Sequence, residues 1–500
     1  MVLPMHDPAF LKGATWGFPG ASVEHHETHA AHVFLVGNRA FKIKKNVKLP
    51  YLDFSSVEKR RKVLEDELAI NRGFNPDLYL AVTTVLGEPV LVMNRFASKD
   101  MLSARLQQGG VDDALARALA AMMAASHRAA PRRDTPGSGI MTGLGAQLSQ
   151  AFIASPDLFQ PGQTLEFHAL FEDALHRLKP LLNRRGEAGL VRRCHGDAHC
   201  KNIVLRNGVP QLFDAIEFSE TIATIDVLYD LAFLLMDLMR RGAPRAACLV
   251  LNHYLNLRRA AEDLSGLAAL PLFLSTRAGV RALVLADLVH ELPVADSLRQ
   301  RGDALDYFRM SLAFLKPPLP MLVAIGGLSG SGKTTVATHV APYLGAAPGA
   351  IHVRSDVERK LLAGVGETDP LPGESYTRES SAAVYRASLD RAEQALRAGQ
   401  SAILDAVFAR PGERQMAQSL AQRMGVSFAG YWLDADPAIL KARVAARHGD
   451  ASDATPEVVD RQLGYDLGVM RWQRIDAAGS AEAAARAIRE RRPSPSAGPA

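Results

Sequence analysis

The chain has 500 residues, 48% hydrophobic and 22% charged, with a formal charge of +5 and three cysteines. That composition predicts a soluble globular protein with two or three cores. Its most apolar stretches, 228 to 239 and 280 to 289, are short and broken by Asp230, Asp237 and Asp287, which argues against membrane spans. Cys194, Cys200 and Cys248 form no C-x-x-C pair and the start has no basic, apolar leader, so a reducing cytoplasm is expected, without a disulfide framework. Basic clusters at 59 to 62, 192 to 193 and 489 to 492 are mostly mixed with acids, which suits solvated helix faces better than a nucleic-acid groove.

Residues 1 to 22 are rich in Gly and Pro and show no period. An extended arm at 23 to 28 is followed by AHVFLV, the turn Gly37-Asn38 and RAFKIKK, a hairpin signal. Alternation places Ala40, Lys42 and Lys44 on one face of the second strand. Ser55 and Glu58 make a capping-box pattern for a helix expected to end at Gly73. In that helix Glu67 sits among Val63, Leu64 and Ile70 and points inward, whereas Glu65 points outward. A buried glutamate needs a cationic partner, and a lysine of the preceding strand can supply it. Strands at 79 to 86 and 88 to 96 complete a small sheet, and residues 97 to 100 lead into a helical region whose clearest helix is 114 to 130.

The stretch CHGDAHCKNIVLRNGVPQLFDAIEF, 194 to 218, holds His195, Asp197 and Asn202 in the spacing H-x-D-x-x-x-x-N, then strand, turn, strand and Asp214. It resembles the aminoglycoside and choline phosphotransferase family, whose fold is kinase-like and whose loop reads HGDxHxxN. His199 is the residue that separates that family from protein kinases. The resemblance implies that Asp197 accepts the proton of a substrate hydroxyl and that Asn202 and Asp214 hold magnesium against ATP phosphates. Carried back, it makes Lys42 the phosphate-pairing lysine with Glu67 as partner. Lys44, on the same face, is the alternative, and Asp230 is expected to fix the loop. The turn at 27 to 32 departs from many kinases in lacking glycines. His25, His26, His29 and His32 crowd it and read as surface or substrate-edge residues rather than a metal site. Residues 100 to 315 otherwise read as a helical lobe closed by the stiff linker KPPLP.

Beyond the linker, GLSGSGKT fits the phosphate-loop pattern G-x-x-x-x-G-K-[ST], between a strand-like run at 321 to 326 and a helix-like run at 334 to 344. Gly327, Ser329, Gly330, Ser331, Gly332, Lys333, Thr334 and Thr335 are therefore the candidate nucleotide residues. Lys333 reaches the terminal phosphates and Thr334 can hold magnesium. Strands and helices then alternate, as in a parallel sheet covered on both faces, with Asp356 and Asp405 at strand ends. This half resembles the small P-loop kinases akin to polynucleotide kinase, zeta toxin and gluconate kinase. The resemblance implies Asp356 as the group that activates an acceptor hydroxyl, Arg359 as a clamp and Asp405 as the carboxylate near magnesium. Arg410 and Arg414 follow that carboxylate. Arg443 and Arg447 precede HGDASDAT, which resembles a mobile lid, and all four arginines suit phosphate oxygens.

Together the halves resemble bacterial bifunctional fusions of an aminoglycoside-phosphotransferase-like domain with an ATP-binding P-loop kinase. The implied layout is a kinase-like α+β domain at 1 to 316, with a small lobe at about 23 to 97 and a helical lobe at about 100 to 315. A linker at 317 to 320, an α/β P-loop domain at 321 to 490 and a disordered tail at 491 to 500 follow. The expected activity is transfer of the terminal phosphate of ATP, with Mg2+, to hydroxyl groups of small molecules. Two other readings stay open: one half is a nucleotide-sensing regulator, or the protein is a nucleic-acid end kinase.

Overall fold

A computed structural model describes residues 8–28, 30–49, 52–291, 294–446 and 449–491. The chain divides into two compact units, Met1–Ile140 with Asn183–Ala243, and Met141–Leu182 with Pro244–Ala500.

In the first unit, strands β1 (Val23–Glu27), β2 (Ala31–Val36), β3 (Arg39–Lys44), β4 (Tyr79–Val85) and β5 (Glu88–Asn94) form an antiparallel sheet in the order β1-β2-β3-β5-β4. The predicted hairpin is β2 and β3, joined where Gly37 takes a φ of 56°. Alternation along β3 sends Phe41 and Ile43 to one face, where Phe34, Val36 and Val90 join them. Phe10 and Trp16 cover that face from two short 3-10 turns, so the described part of the aperiodic N-terminal stretch, from residue 8, contributes to a core.

Helix α1 (Val57–Phe74) lies near β4 and β5, and its Leu64 packs with Leu78, Tyr79 and Leu91. Its cap is Ser56, one residue later than expected, with the Ser56 hydroxyl accepting from Lys59 N at 3.3 Å. Ser55 is diverted: its hydroxyl donates to the Asp53 carboxylate at 2.5 Å. Gly73 does not end the helix, which runs one residue further and closes through Asn75 N donating to Asn71 O. Helix α2 (Asp113–Ala129) is capped by Asp112 and buries Leu119, Met123 and His127. The hairpin β6 (Ile203–Arg206) and β7 (Val209–Leu212) is followed by helix α3 (Val227–Arg240), buried along almost its whole length.

The second unit contains helices α4 (Pro244–Arg258), α5 (Leu270–Glu291) and α6 (Val294–Phe314), the last two packed together. Phe152, Phe167 and Phe308 meet edge to face in an aromatic cluster. Next comes a sheet of five parallel strands, β8 (Met321–Gly326), β9 (Ile351–Arg354), β10 (Ala402–Asp405), β11 (Ser427–Asp434) and β12 (Gln473–Asp476), ordered β9-β10-β8-β11-β12. Helices α7 (Lys333–Val340), α8 (Ser355–Leu362), α9 (Arg378–Arg397) and α10 (Pro456–Leu463) are among its connections. Strand β8 is buried at every residue, as a central strand covered on both faces must be. Asp405 ends its strand as expected. Asp356 does not: β9 stops at Arg354, and Asp356 lies in the first turn of α8, where the positive end of the helix favours a carboxylate.

Helix α4 precedes the KPPLP linker, yet its Cys248 belongs to the same buried cluster as Val323, Ile325, Tyr431 and Leu433 of the sheet. Among the described residues no helix is long and apolar enough to cross a membrane.

Candidate active sites

In the first unit the site is a chain of alternating charges. Glu67 of α1 is fully buried, and Lys42 Nζ stands 2.7 Å from its Oε1 and 3.0 Å from Asp214 Oδ1. Lys44 Nζ lies 2.8 Å from Glu67 Oε2 and 2.7 Å from Glu217 Oε1. Both lysines therefore share the glutamate, and of the two it is Lys42 that pairs with Asp214. Burial works against the Lys42 ammonium, but Asp214 and Glu67 hold it well above its ordinary value. The attraction of Lys42 in turn keeps the Asp214 carboxyl below the usual range.

Asp214 sits at a φ of 59°, a left-handed conformation that an aspartate tolerates when its surroundings fix it. Here Asp214 N donates to the Tyr79 hydroxyl at 2.9 Å, and Ala215 N donates to Asn71 Oδ1 at 2.8 Å. Strand β4 and helix α1 thus shape the turn.

The loop before β6 is fastened in the same manner. His195 is buried, donates from Nε2 to Phe213 O at 3.0 Å, and is pushed toward its neutral form by burial. Gly196 N donates to Asp230 Oδ1 at 2.9 Å, and Asp230 Oδ2 lies 3.2 Å from His127 Nε2. Asn202 Nδ2 donates to Asp197 Oδ2 at 2.8 Å, and His199 Nε2 is 3.5 Å from that oxygen. Asp197, Lys42 and Asp214 line one cleft of about 570 Å³ together with apolar Leu35, Met93 and Phe213. That size and mixture of walls suit a small organic ligand. His26 also lines the cleft, and His25 Nε2 is 3.0 Å from His32 Nδ1, while His29 lies outside the described residues.

In the second unit the loop from Gly327 to Gly332 connects β8 to α7. Gly330 has a φ of 84°, and a Cβ there would stand 2.3 Å from Leu440 O, so only glycine fits. Ser329 N donates to Gln462 Oε1 of α10 at 2.7 Å, Lys333 Nζ donates to Leu328 O at 3.1 Å, and the buried Ser331 hydroxyl has no hydrogen-bond partner. Thr334 Oγ1 donates to Asp405 Oδ2 at 2.7 Å, and Thr335 is exposed beside it. His352 Nε2 is 3.1 Å from the same Asp405 oxygen. Burial alone would raise the Asp405 carboxyl, but the His352 hydrogen bond and nearby cations hold it at about 2.

Asp356 differs: burial dominates and raises it, against the pull of Arg354 and Lys333. Arg359 donates to Ser375 O at 2.6 Å and lies over the Tyr376 ring. Asp450 of the lid-like segment is 2.6 Å from Arg354 Nη2, and Asp453 accepts from Lys360 at 2.5 Å and Tyr376 at 2.6 Å. Arg443 turns onto the carbonyls of Ala477, Ala478 and Gly479, and Arg414 onto those of Phe408, Ala409, Leu467 and Val469. Arg410 is the N-cap of helix Pro411–Met424, and Arg447 lies outside the described residues.

Sequence reasoning did not single out Glu217, Tyr79, His352 or Gln462. Glu217 offered a weak signal, an acid one turn beyond Asp214. A lone histidine on a strand and a lone glutamine on a helix offered none.

Residues 65–267 match the model of the phosphotransferase enzyme family, and residues 322–465 match that of an AAA domain. The chain joins a phosphotransferase-family domain to a P-loop domain. Glu67, Asp197, Asn202 and Asp214 fall in the phosphotransferase match, as does α4, and Lys333, Asp356 and Asp405 fall in the other. Uncharacterized proteins of Mycobacterium tuberculosis and Mycobacterium bovis are each 29% identical over 478 residues, 91% of this chain and 92% of theirs. A choline/ethanolamine kinase family protein from Mesorhizobium loti is 17% identical, covering 59% of this chain and 93% of its own with a TM-score of 0.37. A gluconokinase from Sinorhizobium meliloti is 19% identical over 34% of this chain and 95% of its own, with a TM-score of 0.25.

Proposed function

We propose that the protein is a bifunctional ATP-dependent phosphotransferase, with one centre at Asp197 and another at Asp356, each acting on a hydroxyl of a small molecule. The observation that carries this reading is duplication. Asp197 shares a cleft with the Lys42–Asp214 pair, and Asp356 lies in the field of Lys333 and Asp405.

In both places the donors beside the phosphate groups are hard oxygens, Asn202 and Asp214 in one and Thr334 and Asp405 in the other, which fits Mg2+. When bound, that ion offsets the charge of the ATP phosphates. The chain's residues do the rest. Lys42 and Lys333 pair with phosphate oxygens, and the loop amides from Gly327 to Thr334 turn toward them. Asp197 or Asp356 orients the acceptor hydroxyl and takes its proton as the new O–P bond forms and the bond to the ADP oxygen breaks. Arg359 acts as the acceptor clamp, whereas Arg443, expected on phosphate oxygens, is spent on the carbonyls of the loop after β12.

The test follows label from the terminal phosphate of ATP into a small-metabolite extract, with wild type, Asp197→Asn and Lys333→Ala compared. Each substitution is expected to abolish a different product. A second reading, one catalytic and one regulatory half, is favoured by the glycine-free turn at 27 to 32. It predicts that only Lys333→Ala abolishes label transfer, and that result would overturn bifunctionality.

A further inference from the structure

We propose that His352 is the positioning residue for Asp405, and that Asn252 of α4 holds the strand that presents it. Strand β9 is at the edge of the parallel sheet, with β10 as its single strand neighbour, so its outward backbone groups need other partners. Asn252 supplies both: Oδ1 accepts from His352 N at 2.7 Å, and Nδ2 donates to Ala350 O at 3.2 Å. One side chain therefore completes the edge on either side of Ile351.

The helix that carries it is fixed in turn. Cys248, one turn earlier, is buried in the sheet core with its Sγ 3.7 Å from Ala350 O, and Asn256, one turn later, accepts from Arg391 Nη2 at 2.6 Å. Neither α4 nor Asn252 lies in the matched AAA segment; both lie in the phosphotransferase match. The P-loop centre is thus braced by a helix from upstream of the linker.

From that braced strand the His352 side chain, 8% exposed, reaches the Asp405 oxygen that also accepts from Thr334. Two donors on one oxygen fix the rotation of a carboxylate. Removing such an orienting partner typically costs about 10- to 100-fold in metal affinity.

The inference rests on the reading of Asp405 as the magnesium-side carboxylate, and the experiment separates the two. Full-length protein carrying Asp214→Asn, which weakens the other centre, is titrated with Mn2+ in the presence of ADP and followed by electron paramagnetic resonance. In that background His352→Leu is expected to weaken Mn2+ about 10- to 100-fold. His352→Gln, whose amide nitrogen reaches the same point, restores most of it, and the shorter His352→Asn does not. Asn252→Leu follows His352→Leu in direction with a smaller loss. ADP affinity without metal stays within about twofold throughout.

If Asp405→Asn weakens Mn2+ while folded His352→Leu binds as wild type, the positioning role is overturned and the reading of Asp405 stands. If Asp405→Asn itself leaves Mn2+ binding unchanged, that reading fails and the inference with it. Should His352→Leu not melt cooperatively, the Gln and Asn variants decide: equal affinities overturn the proposal, and a gap of about tenfold supports it.

Discussion

Around Lys42, charge is collected from three separate stretches of chain: Lys42 and Lys44 from one strand, Glu67 from the next helix, Asp214 and Glu217 from a turn far downstream. Around Lys333 most of the groups proposed to face phosphate are consecutive, and many are backbone amides that side-chain changes other than to proline leave in place. The difference has an energetic consequence. In the first centre Glu67 is fully buried against Lys42 and Lys44, so losing it strands both lysines. In the second the loop is held by glycine geometry, and side chains can be changed one at a time.

The sharpest way to break this comparison is Glu67→Leu. It leaves Lys42 and Lys44 with only Asp214 and Glu217, and removing one partner from a buried ionic cluster costs about 3–5 kcal/mol. Urea unfolding of the full chain is expected to show that loss, while Lys333→Ala, in the loop, shows little. A loss for Glu67→Leu under about 1 kcal/mol would mean that the dispersed cluster is no more interdependent than the loop.

These two architectures also explain what could be read in advance. The loop of the P-loop domain was legible because its function is written in consecutive residues with obligatory glycines. The hairpin, the inward Glu67 and the spacing from His195 to Asn202 were legible because local periodicity sets them. The choice between Lys42 and Lys44 was not, because both share the strand face and the answer depends on where Asp214 folds back. The N-terminal turns gave no period because their two aromatics, Phe10 and Trp16, pack as single anchors on a sheet face. Asp356 was assigned to a strand end because Ser355 gives no visible break, although the chain already turns into α8 there. The role of α4 was hidden for another reason: a helix before a proline-rich linker reads as part of the preceding domain, and only tertiary contact shows Cys248 inside the following core.

An effect on rate rather than stability, and confined to one centre, is expected for Asp356→Asn. A positioned base contributes about 10²–10⁴ in rate, so transfer dependent on Lys333 should fall by at least about 10². Stability should hold or rise, because burial raises the Asp356 carboxyl and so penalises its ionised form. The sign follows: a raised folded value means that stability falls as pH climbs from the ordinary aspartate value through the raised one, and Asn removes that loss. The acid limb of the Lys333-dependent rate should correspondingly lie above the ordinary aspartate range. An acid limb at the ordinary value, or an unchanged rate in Asp356→Asn, would move the base elsewhere.

The mildest change tests whether the loop amides are as independent of side chains as their sequence implies. Gln462 Oε1 accepts from Ser329 N at 2.7 Å, occupying an amide that lies in the phosphate-binding loop. For a phosphate oxygen to take that amide, the glutamine must leave, and one neutral hydrogen bond is worth about 0.5–1.5 kcal/mol net. Gln462→Ala should therefore tighten ADP binding at this centre by about 2- to 10-fold, read by calorimetry in the Asp214→Asn background. Weaker binding would reverse the conclusion: Gln462 would then be a partner of the nucleotide, and the loop itself, like the charges around Lys42, would depend on a side chain delivered from a distant helix.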